Sequence, residues 1–64
     1  MIVRLKEVRT AAGLTQQELA DRAGVSRKTV NTIENRIFTP SVVVALTLAK
    51  ALDAPLGALF ELSD

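Results

Sequence analysis

The stretch QQELADRAGVSRKTVNTIE, residues 16–34, decides how the rest of the chain is read. Thr15 stands just before it and Glu18 three positions later, the T-x-x-E spacing in which each side chain satisfies the other residue's backbone N–H at a helix start. Leu14 and Leu19 bracket that cap as a hydrophobic staple. The pattern then restarts: Val25 and Val30 flank Ser26, a good cap residue, although Thr29 stands where a glutamate would complete the box. Between the two starts there is room for only one short helix and a bend. Gly24 supplies the residue type that tolerates the left-handed conformation of a helix end. The spacing predicts two short helices meeting at a steep angle through a tight turn.

Leu19, Ala20, Ala23, Val25, Val30 and Ile33 are the apolar positions of this stretch and converge on the inside of the bend, with small Ala20 where the helices cross. Ser26, Arg27, Lys28, Asn31 and Thr32 fall on the other side of the second helix and are polar. That is the layout of a helix-turn-helix whose second helix enters the DNA major groove by its N-terminal end. Together with G-L-T-Q-Q-E-L-A from Gly13, G-V-S-R-K-T-V-N-T-I-E from Gly24 and T-P-S from Thr39, the chain resembles the Cro/C1-type repressor family, also called the XRE family. The likeness covers nearly the whole chain and is nearest to the family's small stand-alone members. It implies an all-α, five-helix, lambda-repressor-like DNA-binding domain over residues 1–64, with the helix-turn-helix at 16–35. It also implies a sequence-specific transcriptional regulator, expected to repress as a homodimer on a palindromic operator.

With 64 residues the chain is read as one domain with a small core, close to the lower size for folding without disulfides or metal. It has no Cys, hence no disulfide framework and no thiolate site, which fits a reducing cytoplasm. It has no His, and its 7 Asp and Glu are scattered, so no metal site, cofactor or catalytic acid/base pair is expected. The net charge is only +1, so distribution says more than the sum. Arg22, Arg27, Lys28 and Arg36 lie in or beside the proposed reading unit, whereas residues 51–64 carry Asp53, Glu61 and Asp64 without a compensating cation. One end is expected to be electropositive and the other acidic. The start MIVRLKEVR lacks the apolar core of a signal peptide, and the most apolar run, residues 42–49, is far too short to span a bilayer. No membrane association is expected.

Outward from the centre, Leu5, Val8 and Ala12 share helical spacing while Arg4, Lys6 and Glu7 turn away, predicting a first helix over 4–12 that Gly13 ends. Arg9 falls on or beside the inner face of that helix, and the resemblance implies that it forms a buried ion pair with Glu34. Ile2 and Val3 at one terminus, and Phe60 and Leu62 alternating with Glu61 and Ser63 at the other, either pair as a short antiparallel ribbon or fray. The connector NRIFTP, residues 35–40, reads as polar at its start and then anchored by Ile37 and Phe38. Arg36 occupies a position where the family usually has Gly or Asn. Cβ crowding disfavours a left-handed arginine, so a helix end displaced by a residue is expected there. Ser41 caps a fourth helix over 42–52, apolar almost all round, and Pro55 opens a last short helix. Relatives usually carry charge where this chain has Val43, Thr47, Gly57 and Ala58. A monomer of this size cannot bury so much apolar surface. Val43, Leu46, Leu56, Leu59, Phe60 and Leu62 are therefore expected to meet a second copy.

Binding to a duplex needs contacts that hold phosphates and contacts that read bases. Gln16 opens the second helix with a free amide beside unpaired backbone N–H groups, a natural phosphate site, and the resemblance adds Asn35 and Arg36 to the backbone grip. Arg27 and Lys28 in the first turn of the reading helix, and Asn31 and Thr32 one turn later, can line its outer face. Arginine or lysine can bond guanine O6 and N7, and threonine can present its methyl to thymine. Ser26 serves as cap first and phosphate contact second. A competing reading is an antitoxin-like module whose apolar fourth and fifth helices neutralise a partner protein, with DNA binding secondary; both readings share one fold.

Overall fold

Two capped helix starts fix the centre of the molecule, and the computed structural model, which describes residues 1–63, places everything else around them. Asp64, counted above with the acidic end, lies outside the described residues. The order is β1 (Ile2–Val3), α1 (Leu5–Ala11), α2 (Gln16–Ala23), α3 (Arg27–Glu34), α4 (Val42–Ala51), α5 (Leu56–Leu59) and β2 (Phe60–Glu61). At the start of α2, Glu18 N donates to Thr15 Oγ1 at 3.0 Å and Thr15 N to Glu18 Oε1 at 2.9 Å, so the capping box is complete. Gly24 closes α2 with φ of 70°, and Val25 N donates back to Ala20 O at 3.0 Å. At α3 the missing glutamate is replaced by a hydroxyl pair. Thr29 N donates to Ser26 Oγ at 3.0 Å, and the two hydroxyl oxygens lie 2.9 Å apart.

The inner faces of these helices supply the core. Leu5, Leu19, Val30, Ile33, Leu48 and Leu59 are fully buried, and Ala20 is as well, which lets α2 and α3 cross closely. Helix α4 is capped by Ser41, whose Oγ accepts from Val44 N at 3.2 Å, and buries Ala45, Leu48 and Ala49. Helix α1 is a residue shorter at each end than expected, and Ala12 is exposed beyond it. The termini do pair: Ile2 lies opposite Glu61 and Val3 opposite Phe60 in an antiparallel ribbon, extended by Arg4 N donating to Leu59 O at 2.8 Å. Arg4 Nη2 also lies 2.7 Å from Glu61 Oε1 across the ribbon, but both side chains are about half exposed and such a pair contributes little.

Three further expectations change. Leu59 is 0 % exposed, so it belongs to the core and has no free surface for a second copy; α5 is a single turn, and Leu59 is the side chain that ties it down. Ile37 and Phe38 do not anchor the connector but stand out at 77 % and 48 % exposure. The reason is the backbone: Ile37 N and Phe38 N both donate to Thr32 O, at 2.9 and 3.2 Å, folding the loop against the end of α3 with its side chains outward. Arg36 keeps the left-handed conformation, φ 61°, with α3 ending at Glu34 and Asn35 capping it, so the helix end is not displaced. Arg36 N donates to Ile33 O at 3.0 Å in the same turn. Three such bonds at about 0.5–1.5 kcal/mol each outweigh a strain of about 1–2 kcal/mol.

Candidate nucleic-acid interface

Helix α3 is held by its buried side, Val30 and Ile33, and turns Arg27, Lys28 and Asn31 to solvent. Its register against the N-terminus of α2 is set by a polar chain that begins in the interior. Arg9 Nε donates to Glu34 Oε2 at 2.7 Å and Nη2 to Oε1 at 3.2 Å, both side chains being almost wholly withdrawn from water. Arg9 Nη1 donates to Leu14 O at 2.8 Å, so α1, the loop before α2 and the end of α3 share one guanidinium. Gln16 Nε2 then donates to Glu34 Oε1 at 3.0 Å, Asn31 Nδ2 approaches Gln16 Oε1 at 3.5 Å, and Asn35 Nδ2 donates to Asn31 Oδ1 at 3.2 Å. A buried pair whose side-chain polar atoms are all hydrogen-bonded thus extends to the surface of α3, where it restrains side chains that would otherwise sample many rotamers.

The free amide that the sequence suggested for Gln16 is accordingly not found, because its Nε2 is held by Glu34. A carboxylate only accepts, so Glu34 fixes the NH2 group of Gln16 inward and takes one of its two hydrogens, leaving one for an outside acceptor. The first N–H groups of α2 lie beside it without intrahelical partners, as at any helix start. Gln16, Arg27, Lys28 and Asn31 together line an open concavity. Neither Arg27 nor Lys28 has an ion pair or side-chain hydrogen bond among the described residues, and a similar freedom holds for Arg36. Ser26 is exposed with its oxygen engaged in capping. Arg36 does not line the concavity but sits beside Phe38 and Thr39 on another side of the loop. The Thr32 hydroxyl donates back to Lys28 O at 2.9 Å and Thr29 O at 3.1 Å, which commits its proton within the helix and leaves its methyl and its oxygen lone pairs.

A second kind of surface is apolar and shares no lining residue with this concavity. Val43 and Leu46 are 73 % and 51 % exposed on α4. Leu56, Phe60 and Leu62 line an apolar groove together with Met1, Pro40 and Val42. Among the described residues, no helix is long and apolar enough to cross a membrane.

The short α2, the glycine turn and the outward cations of α3 form one unit, and residues 5–59 match the family model described as Helix-turn-helix. The chain belongs to the XRE-type helix-turn-helix family. It is a DNA-binding transcriptional regulator of that type. An HTH-type transcriptional regulator of Archaeoglobus fulgidus is 36% identical over 64 residues, covering 100% of this chain and 91% of that protein. An HTH-type transcriptional regulatory protein of Methanocaldococcus jannaschii is 50% identical over 52 residues, 81% of this chain but only 16% of that protein. Among solved structures, the restriction-modification controller protein C.AhdI from Aeromonas hydrophila superposes with a TM-score of 0.85 at 44% identity, covering 89% of this chain and 86% of that one. The N-terminal DNA-binding domain of the biofilm regulator SinR from Bacillus subtilis does so at 0.79 and 28% identity, over 94% and 88% of the two chains.

Proposed function

We propose that this XRE-type protein is a cytoplasmic repressor that binds a palindromic operator as a homodimer and acts by occupancy, excluding polymerase without a chemical step. The observation that carries the proposal is the concavity formed by Gln16, Arg27, Lys28 and Asn31, with free cations on the outer face of a short helix whose inner face is locked. In this reading the N-terminal end of α3 enters the major groove. Arg27 and Lys28 address guanine O6 and N7, and Asn31 and Thr32 flank them. The remaining amide hydrogen of Gln16, the first N–H groups of α2, Ser26, Asn35 and Arg36 hold phosphates on either side. One short helix covers only a few base pairs, so two copies on a two-fold axis, about 34–36 Å apart or a multiple of that, supply the selectivity. Val43, Leu46, Leu56, Phe60 and Leu62, five of the exposed or half-buried apolar residues of the C-terminal part, are the surface through which the copies meet.

The test is a pair of alanine variants assayed on operator and on random DNA. Arg27→Ala is expected to weaken operator binding by about 1–3 kcal/mol and to relax preference at one base pair. Gln16→Ala is expected to weaken binding to both DNAs alike. Equal losses on both DNAs for Arg27→Ala would refute base reading by that residue, and an altered consensus for Gln16→Ala would refute its phosphate role. The apolar groove also supports a second reading, an antitoxin-like chain with a protein partner. The structure of SinR with SinI, which superposes at a TM-score of 0.84 and 29% identity over 57% of that chain, is a complex of two proteins. A chain that is monomeric alone and forms a stable heterocomplex would favour that reading.

A further inference from the structure

The exposed pair Ile37 and Phe38 has no role in the core and stands directly beside the reading helix. Their side chains line a shallow surface with Lys28, Thr29 and Thr32. Lys28 lines both this surface and the concavity with Gln16, Arg27 and Asn31, so the two are continuous. Apart from the Lys28 ammonium, the polar side-chain atoms of this surface are threonine hydroxyls already hydrogen-bonded within α3 and its cap. The Thr32 hydroxyl donates to Lys28 O and Thr29 O, and the Thr29 hydroxyl lies 2.9 Å from Ser26 Oγ, so both threonines offer methyl groups. It is also held in place, because Ile37 N and Phe38 N donate to Thr32 O at 2.9 and 3.2 Å. An apolar shelf fixed to the end of α3 and bordered by a free cation matches one feature of the major groove, the C5-methyl group that projects from a pyrimidine next to the phosphate wall.

We propose that Thr32, Ile37 and Phe38 form a receptor for the C5-methyl group of a pyrimidine at the edge of each half-site, an inference that rests on the DNA-reading role assigned to α3 above. Selectivity there comes from removing a methyl group from water, while Lys28 engages the neighbouring base or phosphate. Cytosine without its methyl leaves the shelf unfilled. A 5-methylcytosine carries the same group in the same place as thymine, so the chemistry recognised is the methyl and its source is decided by experiment.

The experiment uses the full chain and the consensus duplex recovered from a random DNA pool. Each thymine is replaced in turn by deoxyuridine, which removes only the methyl, and in a second series each cytosine is replaced by 5-methylcytosine. Losing one buried methyl corresponds to about three- to fivefold in affinity. Wild-type protein is expected to show that loss at one symmetry-related thymine pair, and Ile37→Ser and Phe38→Ser, both at exposed positions, are expected to abolish it. A comparable gain at one methylated cytosine, with no thymine effect, assigns the shelf to 5-methylcytosine and supports the proposal equally. Affinity unchanged by every deoxyuridine and every 5-methylcytosine, on a duplex that still binds tightly, overturns the methyl receptor and leaves the DNA-reading role standing. Failure to bind any duplex overturns both. A methyl effect that persists at full size in the Ile37 and Phe38 variants overturns their part in it.

Discussion

Replacing Arg36 with glycine separates what this residue costs the fold from what it gives the interface. Its φ of 61° places the Cβ against the backbone, a strain of about 1–2 kcal/mol that glycine does not carry. Glycine gives back about 0.4–1 kcal/mol through the greater freedom of the unfolded chain. Arg36 is exposed and makes no side-chain hydrogen bond or ion pair among the described residues, so little else is lost. The balance is a net stabilisation of about 0.5–1 kcal/mol, equivalent in so small a domain to a rise of roughly 2–8 °C in Tm. If the charge grips a phosphate, the same substitution weakens DNA binding and reduces the slope of log K against log salt by about 0.9 per protomer. Urea unfolding at unchanged m-value reads the first effect, and titration of a labelled duplex at several salt concentrations reads the second. A protein destabilised by the substitution would refute the strain account, since it would mean that the aliphatic stem of Arg36 contributes more packing than its conformation costs. An unchanged salt slope would remove Arg36 from the phosphate contacts.

Breaking the interior pair has a larger effect. Glu34→Ala strands the Arg9 guanidinium and is expected to cost about 3–5 kcal/mol, whereas replacing both partners by Met and Leu recovers most of it; a single-variant loss below about 1 kcal/mol in urea unfolding would show that water reaches the pair. Glu18 is held below its ordinary carboxylate pKa of 4.5, first by the backbone N–H of Thr15 and then by the Thr15 hydroxyl. A lowered folded-state value means that the unfolded chain binds the extra proton, so this stabilisation is present above pH 4.5 and is lost as the pH falls below it. Glu18→Gln is therefore expected to flatten part of the acid limb of a Tm-versus-pH curve, and an identical limb would contradict the capping role. Val43→Glu and Leu46→Glu, both at exposed positions, are expected to give folded monomers with reduced operator affinity; sedimentation showing an unchanged dimer would take these residues out of the interface.

The centre of the fold was legible because its determinants are local. A T-x-x-E box, a capping serine and a turn glycine act within five residues, and the apolar spacing around them leaves one way to bury Leu19, Val30 and Ile33. The ribbon was less so, since it joins residues about 60 positions apart and two-residue strands carry almost no pattern of their own. Leu59 and Leu56 look alike in sequence, yet one is core and the other surface, because which side of a single helical turn faces inward is set by α1 and α4 rather than by α5. The exposure of Ile37 and Phe38 escaped the sequence for a similar reason: two backbone bonds to Thr32 O aim them outward, and apolarity alone had suggested burial. At the interface, the cationic face of α3 followed from periodicity, but the inward turn of Gln16 depends on a carboxylate 18 residues away.

The most direct measurement is selection of bound sites from a random double-stranded DNA pool with the purified chain, followed by determination of protein per duplex on the enriched sequence. An inverted repeat is expected, with half-site centres about one helical turn, or a multiple of it, apart. Two protomers per duplex are expected as well, and an enriched sequence that shifts at one position in each half when Arg27 is replaced. A pool that remains unenriched, or an asymmetric site occupied by one protomer and unchanged by Arg27→Ala, would contradict these expectations.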